Sequence, residues 1–228
     1  MPKRAKRPTL FQGLLATAIF IFIYFVIATF LTALVYLLYQ QGYIGQNNFN
    51  FLTDVTSLLP LSIAIGLYLL LYKRMTPSKI GKSLGFISDG MLGKVMLGIF
   101  IFLIIIIFEI LLGLISTATN VPINTNTNIV FAGAPMWFFV FIAVIEPINE
   151  EIMFRGFLVP RIGIIPSAII FGLAHYSYMS TFGVEIIGAL IFGLITGYIF
   201  KKTKSIYPGI VAHILVNTIA VIGLIALS

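Results

Sequence analysis

The sequence predicts an all-α membrane protein, a polytopic bundle of about seven transmembrane helices. Three observations carry that expectation. First, 60% of the 228 residues are apolar and only 9% are charged, whereas a soluble domain is roughly 45–50% apolar and about 25% charged. So few polar groups cannot coat a water-facing surface, which argues against a soluble enzyme, a disordered tail and a nucleic-acid module. Second, the apolar residues gather into runs close to the roughly 20 that a helix needs to cross a hydrocarbon core of about 30 Å. Third, backbone polar groups in lipid must be satisfied within the segment, which selects helices.

In chain order the runs are Leu10 to Tyr39, Val55 to Tyr72, Val95 to Ile115, Pro135 to Leu158, Ile164 to Tyr178, Val184 to Phe200 and Ile206 to Leu227. The first is long enough to span with tilt. Its Lys/Arg-rich start is like that of a signal peptide, but the apolar run is about twice the usual length and lacks a small-residue cleavage site, so an uncleaved first span is expected. The fourth stands apart because it carries Glu146, Glu150 and Glu151. The fifth is short and holds Pro166 and His175. A re-entrant fifth segment would reverse the side on which the chain ends.

The basic residues test that path through the positive-inside rule. Lys3, Arg4, Lys6 and Arg7 precede the first run, and Lys73, Arg74, Lys79, Lys82 and Lys94 follow the second. Arg155 and Arg161 flank the end of the fourth, and Lys201, Lys202 and Lys204 separate the sixth from the seventh. The connections 40–54, 118–134 and 179–183 hold no Lys or Arg. All 14 basic residues thus fall on alternate sides of a seven-helix path, which places the N-terminus in the cytoplasm. The net charge of +7 is then explained by anionic lipid head groups rather than a nucleic acid. The stretch 119–128, rich in Asn and Thr, reads as an outer turn.

Ionisable groups inside spans are costly and mark function by default. Glu146, Glu150, Glu151, His175 and His213 lie at or near membrane depth, with Glu109 and Glu185 as further candidates. Glu151 and Arg155 are four apart on one helical face, in the favourable order for a pair. Glu150 points about 100° away from Glu151 and is free for other work. His213 and Asn217 are also four apart. Counting from the basic ends at about 1.5 Å per residue, Glu150 lies about 12 Å deep, His175 about 16 Å and His213 about 10 Å. One layer shared by three segments argues for a single water-containing cavity, opening toward the cytoplasmic side. Glu146, beside Pro147, reads as a lining group of that cavity. Gly193 and Gly197 form a GxxxG, a close-packing pattern without functional content.

The chain has no cysteine, so neither a thiol nucleophile nor a zinc-thiolate site exists. A carboxylate beside an imidazole can take a proton from water, and a second imidazole with an amide can hydrogen-bond a developing oxyanion. That set points to hydrolysis of an amide by activated water. Glu150, His175 and His213 would equally suit a divalent metal such as zinc with an open position, although the HExxH pattern is absent.

The residues also carry a resemblance. Glu150-Glu151-Ile152-Met153-Phe154-Arg155-Gly156 resembles the EExxxR motif of the CAAX protease and bacteriocin-processing (CPBP/Abi) family of intramembrane peptidases. Phe171-Gly172-Leu173-Ala174-His175 resembles its FxxxH motif, and His213-Ile214-Leu215-Val216-Asn217 its HxxxN motif. All three occur in the family's order, so residues 135–220 read as a family-like catalytic core within a single integral membrane domain, 1–228, behind three leading helices over 8–118.

The resemblance implies that Glu150 and His175 activate water, that His213 and Asn217 stabilise the oxyanion, and that Glu151 and Arg155 form a supporting pair. It gives Glu146 no role. The glutamate mechanism requires no cofactor, with a divalent metal as the alternative. The expected substrate is a membrane-associated peptide or protein, in a bacterial plasma membrane, with bacteriocin processing or self-immunity as the setting. The competing readings are a non-catalytic membrane immunity or interaction protein and a small proton-coupled transporter.

Overall fold

The structure, a computed structural model, describes residues 10–120, 133–175 and 184–227. Lys3, Arg4, Lys6 and Arg7, most of the expected outer turn, the 179–183 connection and the Glu185 side chain lie outside the described residues. Among the described residues every regular element is helical and no strand occurs. Five segments of the described residues are long and apolar enough to cross a membrane: Ala18–Gln40, Gln46–Tyr72, Met91–Thr119, Ile186–Thr203 and Tyr207–Ala226. The chain is therefore an integral membrane protein.

The chain divides into two compact units, Met1–Thr76 and Pro77–Ser228. The first holds α1 (Leu10–Gln40) and α2 (Gln46–Tyr72). Helix α2 starts earlier than the sequence predicts, at Gln46 instead of near Val55, because its polar first turns find partners. Tyr39 donates to Gln46, Gln46 Nε2 donates to Asn50 at 3.0 Å, and Phe49 stacks on Tyr39 with centroids 4.6 Å apart. Within the same unit the Thr32 and Thr56 hydroxyls bond at 2.8 Å, and the Tyr24 hydroxyl donates to the Ser57 carbonyl at 2.9 Å.

The second unit holds α3 (Pro77–Ser83), α4 (Met91–Thr119), α5 (residues 136–162), α6 (Ile164–Ala174), α7 (Val184–Thr203) and α8 (Tyr207–Leu227). Helix α3 falls where the sequence predicts only a basic loop. Asn120 closes α4 in the left-handed conformation at φ 53°, a common helix stop. Gly163, at φ 93° and ψ 175°, breaks the chain between α5 and α6, and Pro166 then sits in the first turn of α6, where its missing N–H costs little. With 11 residues, α6 is only about 16 Å long and stops within the depth of a bilayer.

Small residues set the helix spacing. A Cβ on Gly98 of α4 would come within 2.8 Å of the Pro208 carbonyl on α8. Gly193 and Gly197 of α7 face Ala168 and Ile164 of α6, which is the close packing their spacing predicts. The segment after α3 is tied to the turn between α7 and α8, because Ile206 N–H donates to the Gly85 carbonyl at 3.0 Å and Ser205 Oγ to the Ile87 carbonyl at 3.2 Å. That tie brings Lys79 and Lys82 to the end of the unit that carries Lys201, Lys202 and Lys204.

Candidate functional site

Helix α5 carries the acidic residues and is not a regular helix. Its turns widen to π-helical spacing over Phe141–Ile145 and again over Ile152–Leu158, on either side of Glu146–Glu151. Each wide turn ends just ahead of a proline, Pro147 or Pro160. Proline has no N–H to donate, and a shift of one residue in the hydrogen-bond ladder is a way to accommodate the gap. Glu146 N–H accordingly bonds to the Phe141 carbonyl, five residues back, and Val159 N–H to that of Phe154.

This shift explains where Asn217 sits. The Ile142 carbonyl would normally accept from Glu146, whose N–H has moved to Phe141, and the next donor along would be Pro147. Asn217 Nδ2 of α8 supplies the missing bond at 2.9 Å. Ser167 Oγ of α6 likewise donates to the Phe154 carbonyl in the second wide turn, at 2.9 Å. Two neighbouring helices thus each pin one irregular turn of α5.

Between those pins the predicted residues converge. Glu150, His175 and His213, from α5, the C-cap of α6 and α8, each offer a ligand-type atom, and these atoms lie within 4.8 Å of one another. His213 stands between the two carboxylates, its Nε2 3.5 Å from Glu150 Oε2 and its Nδ1 3.4 Å from Glu151 Oε1. Arg155 Nη1 lies 2.9 Å from the same Glu151 Oε1. Glu151 and Arg155 are almost fully buried, at 0% and 1% exposure, and Glu150 and His213 are buried as well. A buried carboxylate beside a buried guanidinium is tolerable because each offsets the other's lost hydration.

His175 is half-buried and has a defined proton arrangement. Its Nδ1 lies 2.8 Å from the Phe171 carbonyl, one turn back. A carbonyl only accepts, so Nδ1 is the donor and Nε2 is the nitrogen left for a water or a metal. That orienting bond is of the kind that fixes histidine ligands and bases. Phe171 also carries the Arg155 guanidinium over its ring at 4.3 Å, with Phe192 of α7 at 5.2 Å. Both rings touch His213, with centroids 5.8 and 4.8 Å away. Behind them lies the apolar cluster of Ile101, Ile105, Phe154 and Ala212.

The structure therefore brings together Glu150, Glu151, Arg155, His175 and His213. Asn217 is one turn along α8 from His213 and engages the backbone of α5. Glu146 is buried one turn before Glu150. Glu109 lies on α4 with Gly188 of α7 beside its carboxylate, apart from the cluster. Sequence reasoning missed Thr196, Ser167, Gly209 and Phe192. Thr196 accepts from Arg155 Nε at 2.8 Å and donates to the Phe192 carbonyl at 2.7 Å. Its only signal is that it is a hydroxyl in the apolar middle of α7.

A carboxylate and two imidazoles at this separation suit two kinds of chemistry. They can take a proton from a water, or they can hold a divalent cation through Glu150, His175 and His213 with positions left open. The donor set fits such a cation, whose contribution would be to acidify a bound water.

Residues 132–219 match the family model described as type II CAAX prenyl endopeptidase Rce1-like. The match covers all three motifs and all the residues of the cluster, and bears out the resemblance that the motifs carry. That family implies a peptidase, and so a hydrolase, acting on a peptide in a bilayer. Comparison with curated proteins and with solved structures gives no match.

Proposed function

We propose that the chain is an intramembrane endopeptidase of the CAAX protease type, hydrolysing a peptide bond in a membrane-associated peptide or protein. The observation that carries this reading is the convergence of Glu150, His175 and His213 from three helices to within 4.8 Å. Glu150, with His175 Nε2, takes a proton from water as its oxygen attacks the scissile carbonyl carbon. His213 and Asn217 donate hydrogen bonds to the oxyanion that forms. An amide has two N–H donors, so the Asn217 bond to Ile142 leaves one for that purpose. When the C–N bond breaks, Glu150 returns the proton to the leaving amine. Glu151 and Arg155 hold the geometry, and Glu146 lines the approach. If a divalent metal takes part, Glu150, His175 and His213 are its ligands.

Seven helical segments, five long ones together with charged α5 and short α6, accommodate the path drawn by the basic residues. On that path the N-terminus is cytoplasmic, the site opens toward the cytoplasmic side, and the host is a bacterial plasma membrane. Bacteriocin processing or self-immunity is a setting in which such a peptidase would act. The test is the full chain in proteoliposomes with a panel of membrane-anchored peptides, prenylated CAAX peptides among them, with products read by mass spectrometry. Cleavage that resists a chelator fits water activation by Glu150 and His175 alone, and cleavage lost to it fits the metal form. Intact peptides throughout, with protection against a toxic peptide in cells retained, would instead make it a binding protein.

A further inference from the structure

The connector after α3 and the turn between α7 and α8 meet at one glycine. Gly85 donates to the Lys82 carbonyl at 3.1 Å, and its own carbonyl accepts from Ile206 at 3.0 Å. A Cβ there would strike Phe200 and come within 3.1 Å of the Lys204 carbonyl. Lys82 and Lys204, far apart in the chain, are therefore held by their backbones against the same residue. The Phe86 and Tyr207 rings meet edge-on at 6.1 Å, and Lys94 Nζ and Ser205 Oγ both donate to the Ile87 carbonyl.

The charge gathered here is one-sided. Lys79, Lys82, Lys201, Lys202 and Lys204 are exposed. Asp89 is the only acid between Pro77 and Lys94, and none stands between Lys201 and Tyr207. None of the ion pairs among the described residues involves a lysine. Lys204 also adopts left-handed backbone, at φ 57°, a conformation that glycine takes freely and a Cβ resists. A glycine would end α7 with less strain, so the lysine adds charge where the backbone alone does not favour it.

The neighbouring surface is apolar. Tyr198 is exposed one turn before Lys202, whose ammonium lies 5.4 Å from the ring centroid. A lysine lying over an aromatic ring at the end of an apolar span belongs to the head-group zone of a bilayer. A partner for this surface must carry negative charge and also sit against exposed apolar side chains. A phospholipid meets both demands, and a water-soluble acidic peptide meets only the first.

We propose that α3 and the α7–α8 turn form one binding surface for the phosphate group of an anionic phospholipid, which bridges Lys82 and Lys204 and clamps the tie between Gly85 and Ile206. Lysines alone follow the general attraction to an anionic leaflet; the structure adds the bridge between two distant segments. The backbone of Leu84, in the same connector, packs against Gly156 of α5, so the clamp stands behind the turn that carries Arg155.

The test uses the full chain, 15N-labelled, in an uncharged detergent. It is titrated separately with dioleoylphosphatidylglycerol, dioleoylphosphatidylcholine, inorganic phosphate and an oligoglutamate peptide, and hydrogen exchange of the Ile206 amide is followed by NMR. Phosphatidylglycerol at about ten times its dissociation constant should slow that exchange about tenfold, and the other three should leave it unchanged. A lysine near an anionic surface is worth about fivefold in affinity, so Lys82→Gln combined with Lys204→Gln should weaken phosphatidylglycerol binding about 25-fold. Lys204→Gly should weaken it about fivefold while keeping thermal stability in the uncharged detergent at or above wild type, which separates loss of the charge from loss of the fold. Equal protection by phosphatidylcholine, or wild-type affinity in the double variant, would overturn the proposal. So would protection by phosphate alone, which would mark a free-phosphate site, or protection by oligoglutamate and not by phosphatidylglycerol, which would mark an acidic protein partner. None of these readings involves cleavage, so failure here and failure of the peptidase assignment are separate results.

Discussion

Helices α4 and α5 are similar in length and lie in the same compact unit, yet they meet their surroundings in opposite ways. Helix α4 presents Leu92, Met96, Phe100, Leu103, Ile107 and Leu114 outward, the coat that a lipid-facing helix needs. Helix α5 buries Glu146, Asn149, Glu150, Glu151 and Arg155 and departs twice from α-helical spacing. In a membrane, a polar group is tolerated where protein groups replace the missing water. The comparison shows the cost being met by neighbours: α6, α7 and α8 send Ser167, Thr196, His213 and Asn217 to α5, while the six outward side chains of α4 named above are apolar and ask for none.

Substitutions should therefore separate the two helices, beginning with the ion pair. Arg155→Ala leaves Glu151 buried and unpaired, and removing one member of such a pair costs about 3–5 kcal/mol. A large loss of thermal stability in detergent is expected, with Arg155→Met combined with Glu151→Leu recovering much of it. A small change for Arg155→Ala would mean that water reaches the pair and that α5 is less sealed than described.

Gly156→Ala comes next. The added methyl would press on the Leu84 carbonyl, 2.7 Å from the ideal Cβ position, and overpacking of this kind costs about 1–3 kcal/mol. Asn217→Ala should cost about 1 kcal/mol by leaving the Ile142 carbonyl without its donor. Hydrogen exchange at the wide turn around Phe141–Ile145 would show it as a local rise. If exchange there is unchanged, Asn217 does not pin α5.

On α4, Leu103→Ile and Ile107→Leu should shift stability by no more than about 0.5 kcal/mol, since each swaps one exposed apolar side chain for another. A loss comparable to that of Gly156→Ala would show that this face is covered by protein and not by lipid.

The same contrast explains what could be read from the sequence. Helix α4 was legible because apolar composition and length decide a lipid-facing span, and Glu150, Glu151, Arg155, His175 and His213 were legible because charge is scarce in such a chain. The Glu151–Arg155 pair followed from helical spacing alone. The placement of Asn217 did not, because it depends on a ladder shifted around Pro147, and spacing rules assume a regular helix. Thr196 and Gly209 act across helices, on Arg155 and Glu151, and a single sequence carries no record of which helices touch. The early start of α2 was hidden for a related reason: Gln46 and Asn50 are polar by composition, and the partners that make them helical are seen only in three dimensions.

The central claim is that Glu150 of α5 does chemistry while Glu109 of α4 does not. It is tested most directly by measuring cleavage of one membrane-anchored peptide by purified wild type, Glu150→Gln and Glu109→Gln in the same proteoliposomes. Loss of a general base lowers rate by about 10²–10⁴-fold. The account predicts a fall of that size for Glu150→Gln, with the protein still inserted and folded, and wild-type turnover for Glu109→Gln. Equal activity of wild type and Glu150→Gln would contradict it.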